Sequence, residues 1–307
     1  MFHHSSFHGA CDRVFRWVTL VCAAAALLLV VAIFWNLAKY AWPAIAKFGF
    51  GFLTSTQWNP VKSEYGAASS IYGTLVSTLI AMLLALPISL AIALYLNQYA
   101  HPWVSRLVGT CIELLAAIPS IIYGMWGLFV FAPVMQKIVQ PFLGKIPGPL
   151  FSGAPLGVGM LTAGIILALM ILPFLTAVMR DVIAMTPPVL MESAAGMGST
   201  PWEVTRHIIL PYGLRGLMGA VFLGLGRAIG ETMAVTFVIG NSHKIATSLF
   251  APGNTIASTL ANEFNEADTP LLEASLIELG LILLLISIFF QVIAHLWLAR
   301  MQKRFAR

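Results

Sequence analysis

The chain has 307 residues, of which 59% are hydrophobic and 9% charged. Soluble domains carry about a quarter charged residues, so the composition excludes a soluble enzyme or binding module and points to a polytopic membrane protein. The formal net charge of +5 would suit nucleic acid, but no basic stripe interleaved with aromatics and no nucleic-acid fold signature accompanies it.

Residues 1–16 read as a polar tail, and its His3, His4 and His8 as part of that tail rather than a zinc site. Cys11, Cys22 and Cys111 are too dispersed for a disulfide framework or a metal cluster. Six apolar runs follow, at about 17–37, 71–96, 107–132, 156–179, 214–239 and 276–298. At ~1.5 Å per residue each is long enough for a hydrocarbon core of ~30 Å. The first run is longer than a signal-peptide core and ends Phe34-Trp35-Asn36, with no small-x-small cleavage pattern, so it is expected to stay attached. Between the runs, 40–70 reads as a loop, 97–106 as a short polar turn, and 133–155, with five prolines, as an irregular loop. Residues 180–213 form a polar insert, 241–273 a polar segment carrying Glu263, Glu266, Asp268 and Glu273, and 300–307 a basic tail. The expected fold is all-α: a six-span body over 17–299 with a cytoplasmic coupling helix between spans 4 and 5.

Six spans put both termini on one side, and Lys and Arg mark the cytoplasmic side. The N-tail, the 97–106 turn, the insert counted to Arg215 and the C-tail hold ten Lys and Arg, against six lysines in the opposite loops, and every other arginine but Arg227 is in the first set. Both termini and the insert are therefore expected in the cytoplasm, and the basic balance is topology.

Arg227 sits within one residue of the centre of the fifth span and Glu231 follows four residues later. On one helix they would share a face, about 6 Å apart along the axis. A charge at mid-membrane costs from roughly 3 kcal/mol upward, and such residues face the bundle interior or a water-filled path. One reading is a structural ion pair, although Arg before Glu is the less favoured order. The other is a transport site. A guanidinium offers a permanently charged planar fork to an oxyanion, with Glu231 keeping the empty site neutral; for a cation, Glu231 would be the ligand. Gly216, Ala220, Gly224 and Ala228 on one line and Gly226, Gly230 and Ala234 on another allow close helix packing. Glu113 and Glu278, near span ends, read as satisfied hydrogen-bond partners.

In the insert, Pro187-Pro188 breaks any continuing helix. Residues 189–198 then suit a short helix with Glu192 in its first turn, stopped by Gly198. Ser199-Thr200-Pro201, with Glu203, starts a second helix, and Pro211 marks the entry to the fifth span. A helix, a glycine turn and a helix suit either docking into a partner's groove or an ordinary surface loop. The chain has no Gly-x-x-x-x-Gly-Lys-[Ser/Thr] loop; its one Gly-Lys, Gly144-Lys145, precedes Ile146. No enzyme site is evident, so ATP hydrolysis would come from another chain.

The insert resembles the EAA loop of ATP-binding-cassette importer permeases: Glu192, Ala194, Gly198, Ile208, Leu210 and Pro211 fall in register, with Ser193 for the first alanine. The run from Gly226 to Asn241, with Thr56-Gln57-Trp58-Asn59-Pro60 and Ile118 to Gly124, resembles the C-type permeases of phosphate uptake. The resemblance implies one of two unlike permease subunits, two ATPase subunits docked on the insert and binding the ATP, and an external phosphate-binding protein. It also implies Arg227 and Glu231 in phosphate passage. Rival expectations are a permease for another oxyanion such as sulfate or molybdate, an ion-coupled secondary transporter acting alone, or a membrane scaffold or sensor.

Overall fold

A computed structural model describes residues 5–305, with side chains for 12–300. His3, His4, His8, Cys11 and the basic residues from Lys303 to Arg307 lie outside the described side chains. Among the described residues the architecture is all-helical, with one isolated bridge between Asn59 and Glu64. The helices are α1 (Ser5–Phe48), the single turn α2 (Gly51–Thr54), α3 (Ala68–Gln98), α4 (Pro102–Ala116), α5 (Ser120–Leu143) and α6 (Met160–Ala184). They continue with α7 (Pro188–Gly196), α8 (Pro201–Ile229), α9 (Met233–Ile239), α10 (Ile256–Glu263) and α11 (Pro270–Phe305). Six of them, α1, α3, α5, α6, α8 and α11, are long and apolar enough to cross a membrane.

The core is built around α6, two thirds of whose most apolar stretch is buried, while the equivalent stretch of α1 has no buried residue. Helix α3 runs along α6, and α8 packs on both. Ala81, Ala85, Ile166, Leu167, Ile171, Leu175 and Ala220 close this seam. The small residues of α8 explain the close approach. A Cβ added at Gly216 would meet Val182 and one at Gly224 would meet Leu175, each at 2.6 Å. Helix α1 lies against α11.

The third membrane-length helix is displaced from 107–132. Pro119 disfavours helical conformation in the residue before it, so α4 ends at Ala116 and the crossing helix starts at Ser120. Helix α4 is amphipathic and docks on the end of α6. There the Arg180 guanidinium fills the space a side chain at Gly109 would occupy and pairs with Glu113 at 2.8 Å. The loop expected from residue 133 begins only after Leu143, because Pro133 and Pro141 are inside α5. Each follows a wide π turn, Gly127–Phe131 and Met135–Val139. Pro211 follows a third, Thr205–Ile209. A helical proline cannot donate to the carbonyl four residues back and its ring crowds it; in all three cases that carbonyl belongs to the middle of the π turn, where the backbone has widened.

Helix α1 likewise extends past residue 37 to Phe48, through Pro43. The segment after α9 departs most from expectation. Residues 253–259, expected in a polar loop, are buried. They rest on the small, hydroxyl-bearing face of α3. The Thr74 hydroxyl accepts from the Ile256 amide at 3.0 Å, Asn254 Nδ2 donates to Ser70 Oγ at 2.8 Å, and Gly73 has no room for a Cβ against the Asn254 carbonyl. The serines and threonines of α3 thus satisfy backbone and amide groups that neither water nor lipid reaches. Gly73→Ala must displace the Asn254 backbone, at a cost of about 1–3 kcal/mol for overpacking. A lowered thermal midpoint in detergent is expected for Gly73→Ala, and none for Gly219→Ala, where a Cβ meets nothing within 4 Å.

Candidate functional site

The insert is two helices separated by a left-handed turn. Helix α7 starts at Pro188, so Glu192 falls in its second turn rather than its first, with an exposed side chain. Its end is closed by Gly198 at φ +90°. The Gly198 amide donates to Ala195 (2.9 Å) and the Ser199 amide to Ala194 (3.1 Å), a paired termination that requires the left-handed residue. Thr200 then caps α8. Its hydroxyl accepts from the Glu203 amide at 3.3 Å, and Glu203 Oε2 accepts from the Thr200 amide at 2.8 Å. Ala194 is buried, Ile208 and Leu210 are half-buried, and Gly198 and Pro211 are exposed.

The second insert helix and the fifth span are one helix. From Pro201 to Ile229, α8 passes the π turn and Pro211 without a break. Arg227 stands at its far end, roughly 40 Å from Pro201 at 1.5 Å per residue.

The structure does not bring Arg227 and Glu231 into the helical pair their spacing suggested. Helix α8 ends at Ile229, Glu231 lies in the break, and α9 restarts at Met233. Glu231 is half-buried, and its Oε1 accepts from the Ala234 amide at 3.2 Å, so it serves the start of α9. No ion pair joins it to Arg227 among the described residues. The Arg227 guanidinium is exposed and lies 5.4 Å from the Phe174 ring centroid, on α6. The guanidinium thus has an aromatic face on one side, no carboxylate partner among the described residues and an open side. Gly230, directly after Ile229, is the sequence signal for the break.

Glu113 has the partner expected of it, Arg180. Glu278 does not. Its side chain is 6% exposed and Oε2 has no hydrogen-bond partner. A further network escaped the sequence reading. Trp58 Nε1 donates to Glu263 Oε2 at 2.6 Å, His243 Nε2 bonds Glu263 Oε1 at 2.8 Å, and Asn254 Nδ2 approaches His243 Nδ1 at 3.0 Å. Its members are far apart in the sequence and only the re-entrant segment assembles them. No group of three or more potential metal ligands occurs among the described residues.

Removal of the α8 cap by Thr200→Ala is expected to cost about 1 kcal/mol locally. Hydrogen exchange at the amides of residues 202–204 should then accelerate roughly fivefold, with the amides of α6 unchanged.

Comparison with known proteins supplies the context. A family model described as binding-protein-dependent transport system inner membrane component matches residues 85–303. A phosphate transport system permease protein PstC from Pasteurella multocida is 50% identical over 306 residues, covering 98% of this chain and 95% of the relative. One from Mesorhizobium japonicum is 50% identical over 95% of this chain and 91% of its own length. Among solved structures, a bacterial alginate ABC transporter chain is similar with a TM-score of 0.60 at 15% identity, covering 92% of this chain and 94% of that one, a likeness of fold. The matched residues include α8 and the whole insert, and so the chain belongs to the binding-protein-dependent transport system inner membrane components, among the permeases of phosphate transport systems.

Proposed function

We propose that the chain is a transmembrane permease subunit of an ATP-driven inorganic phosphate importer in the cytoplasmic membrane, with both termini and the insert in the cytoplasm. The observation that carries the mechanism is the exposure of Arg227 at the end of a helix that begins in the insert. An unpartnered guanidinium at membrane depth is not stable against lipid tails. Its open side therefore fits a water-filled path completed by a second permease subunit. The excess of Lys and Arg at the insert end supports the orientation.

The insert has the surface of a docking element. Met185, Val189, Met197 and Trp202 are 71%, 68%, 82% and 61% exposed, an apolar face beside the free carboxylate of Glu192. In this reading two ATP-binding-cassette subunits bind there, hold the ATP and hydrolyse it; this chain contributes no catalytic residue, cofactor or metal. Their closure displaces α7 and the base of α8, and α8 carries the displacement to Arg227. Glu192, Ala194, Gly198, Ile208, Leu210 and Pro211 are the coupling residues. An external phosphate-binding protein delivers the anion, which Arg227 receives while Glu231 steadies the start of α9. The half-buried Glu231 beside the break leaves Arg227, not a carboxylate, as the ligand, which favours an anion over a cation.

Two experiments test this. Arg227→Gln, with assembly confirmed, should reduce phosphate uptake more than tenfold, given about 1.5–3 kcal/mol for a hydrogen bond to a charged group; undiminished uptake would leave Arg227 a structural role only. Gly198→Trp, which places a bulky side chain where φ is positive, or charge reversal at Glu192, should leave ATP hydrolysis running while uptake stops. Normal coupling in the Gly198 variant would refute docking on the insert.

A further inference from the structure

The far end of the bundle carries a second polar cavity, of about 610 Å³, that the mechanism above does not use. Its walls come from two separate segments. Thr56, Gln57 and Trp58 precede α3, and Ser242, His243 and Lys244 follow α9. The floor is fixed by the network already described. Trp58 and His243 stack face to face, centroids 5.0 Å apart and planes 2° from parallel. Glu263 accepts from Trp58 on one oxygen and bonds His243 on the other, and the buried Asn254 ties His243 to Ser70 and Thr259 of the core. With the Asn254 amide nitrogen facing Nδ1, the His243 ring accepts there and donates from Nε2 to Glu263.

What remains free in the cavity is a set of donors. The side chains of Thr56, Gln57, Ser242 and Lys244 make no hydrogen bond to any described residue, and both Glu263 oxygens are already engaged. Hydroxyls, a carboxamide and one ammonium around a rigid aromatic floor match a small tetrahedral oxyanion better than a cation or an apolar ligand. The position supports the same ligand. Helix α9, seven residues or about 10 Å long, with Gly240 and Asn241, separates Ser242 from the break that follows Ile229. The cavity therefore follows the end of α9, and the helix that carries Arg227 ends just before its start.

We infer that this cavity is an external receiving site for the transported oxyanion, held by Lys244, Gln57, Thr56 and Ser242, from which the anion passes along α9 to Arg227. The inference rests on the importer reading above and adds a site to it. Trp58, His243 and Glu263 are positioning residues that hold the two walls together.

The test reads occupancy of the site, not transport. The complex with its ATPase subunits, in nanodiscs and without the binding protein, is treated with an amine-acylating reagent in inorganic phosphate or in chloride at equal ionic strength, and modified lysines are mapped by mass spectrometry. At a phosphate concentration of twice the dissociation constant, Lys244 should react about threefold more slowly than in chloride. Lys62, exposed on the same end of the molecule, should react equally in both. The Thr56→Val/Gln57→Leu variant should lose the protection. Equal Lys244 rates in phosphate and chloride overturn the site, as does equal protection of Lys62, which would be general screening. The mapping is repeated with the binding protein added, and protection that appears only then, and equally with its phosphate-free form, would mark a protein-docking surface and also overturns the site. Failure of the importer reading is a separate result: the wild-type complex would then take up no phosphate with its binding protein present.

Discussion

A helix transmits a displacement along its axis only while its backbone ladder is unbroken, and α8 keeps its ladder from a capped start at Thr200 to Ile229. Most of what is distinctive in the fold serves that continuity. The reciprocal bonds between Thr200 and Glu203 satisfy the first donors. The π turn at Thr205–Ile209 absorbs Pro211, which in a regular α-helix would bend or break the rod. Val182 and Leu175 of α6 lie against Gly216 and Gly224, so the two helices approach closely where α8 has no side chain. The ladder ends one residue before Gly230, and the chain resumes as a separate helix at Met233.

That end point decides the electrostatics. Had the helix continued, Arg227 and Glu231 would neutralise each other on one face. The break assigns the carboxylate to the Ala234 amide and leaves the guanidinium beside Phe174 without a counter-charge. In a low dielectric an uncompensated cation is costly, and it becomes tolerable where water or an anion reaches it. Arg227 is thus exposed on a helix whose small residues Gly216, Ala220 and Gly224 are packed into the core.

Much of this was legible beforehand. Hydropathy located the second and fourth crossings to within about a helix turn and found the first and sixth inside helices that run two to three turns further at their ends, because a long apolar run needs no tertiary context. Gly198, Thr200 and Glu203 announced a helix end and a helix start through local chemistry alone. Prolines misled the reading in both directions. Pro119 ends a helix in mid-run, moving the third crossing to Ser120–Leu143, whereas Pro133 and Pro141 sit in a helix whose π turns no sequence pattern flags. The buried segment 253–259 reads as a polar loop because its serines, threonines and asparagine are polar; their partners on α3 lie about 180 residues away, as in the Asn254–Ser70 bond. The Glu263–Trp58–His243 network was invisible for the same reason, and the break at Gly230 was hidden inside an apolar run long enough to be a single span.

Helix α1 shows a different kind of dependence. It leans on α11, the last helix in the chain, and buries none of its most apolar stretch in the rest of the body. During synthesis the first crossing segment is therefore present in the bilayer long before its neighbour exists. The residues from Phe48 to Pro270 must be made in between, a wait of roughly 10–45 s at 5–20 residues per second. Over that interval only the end of α1 has protein neighbours, where Phe48 packs on Phe52 and Tyr65, and its long apolar stretch gains its main helical neighbour only with the final helix.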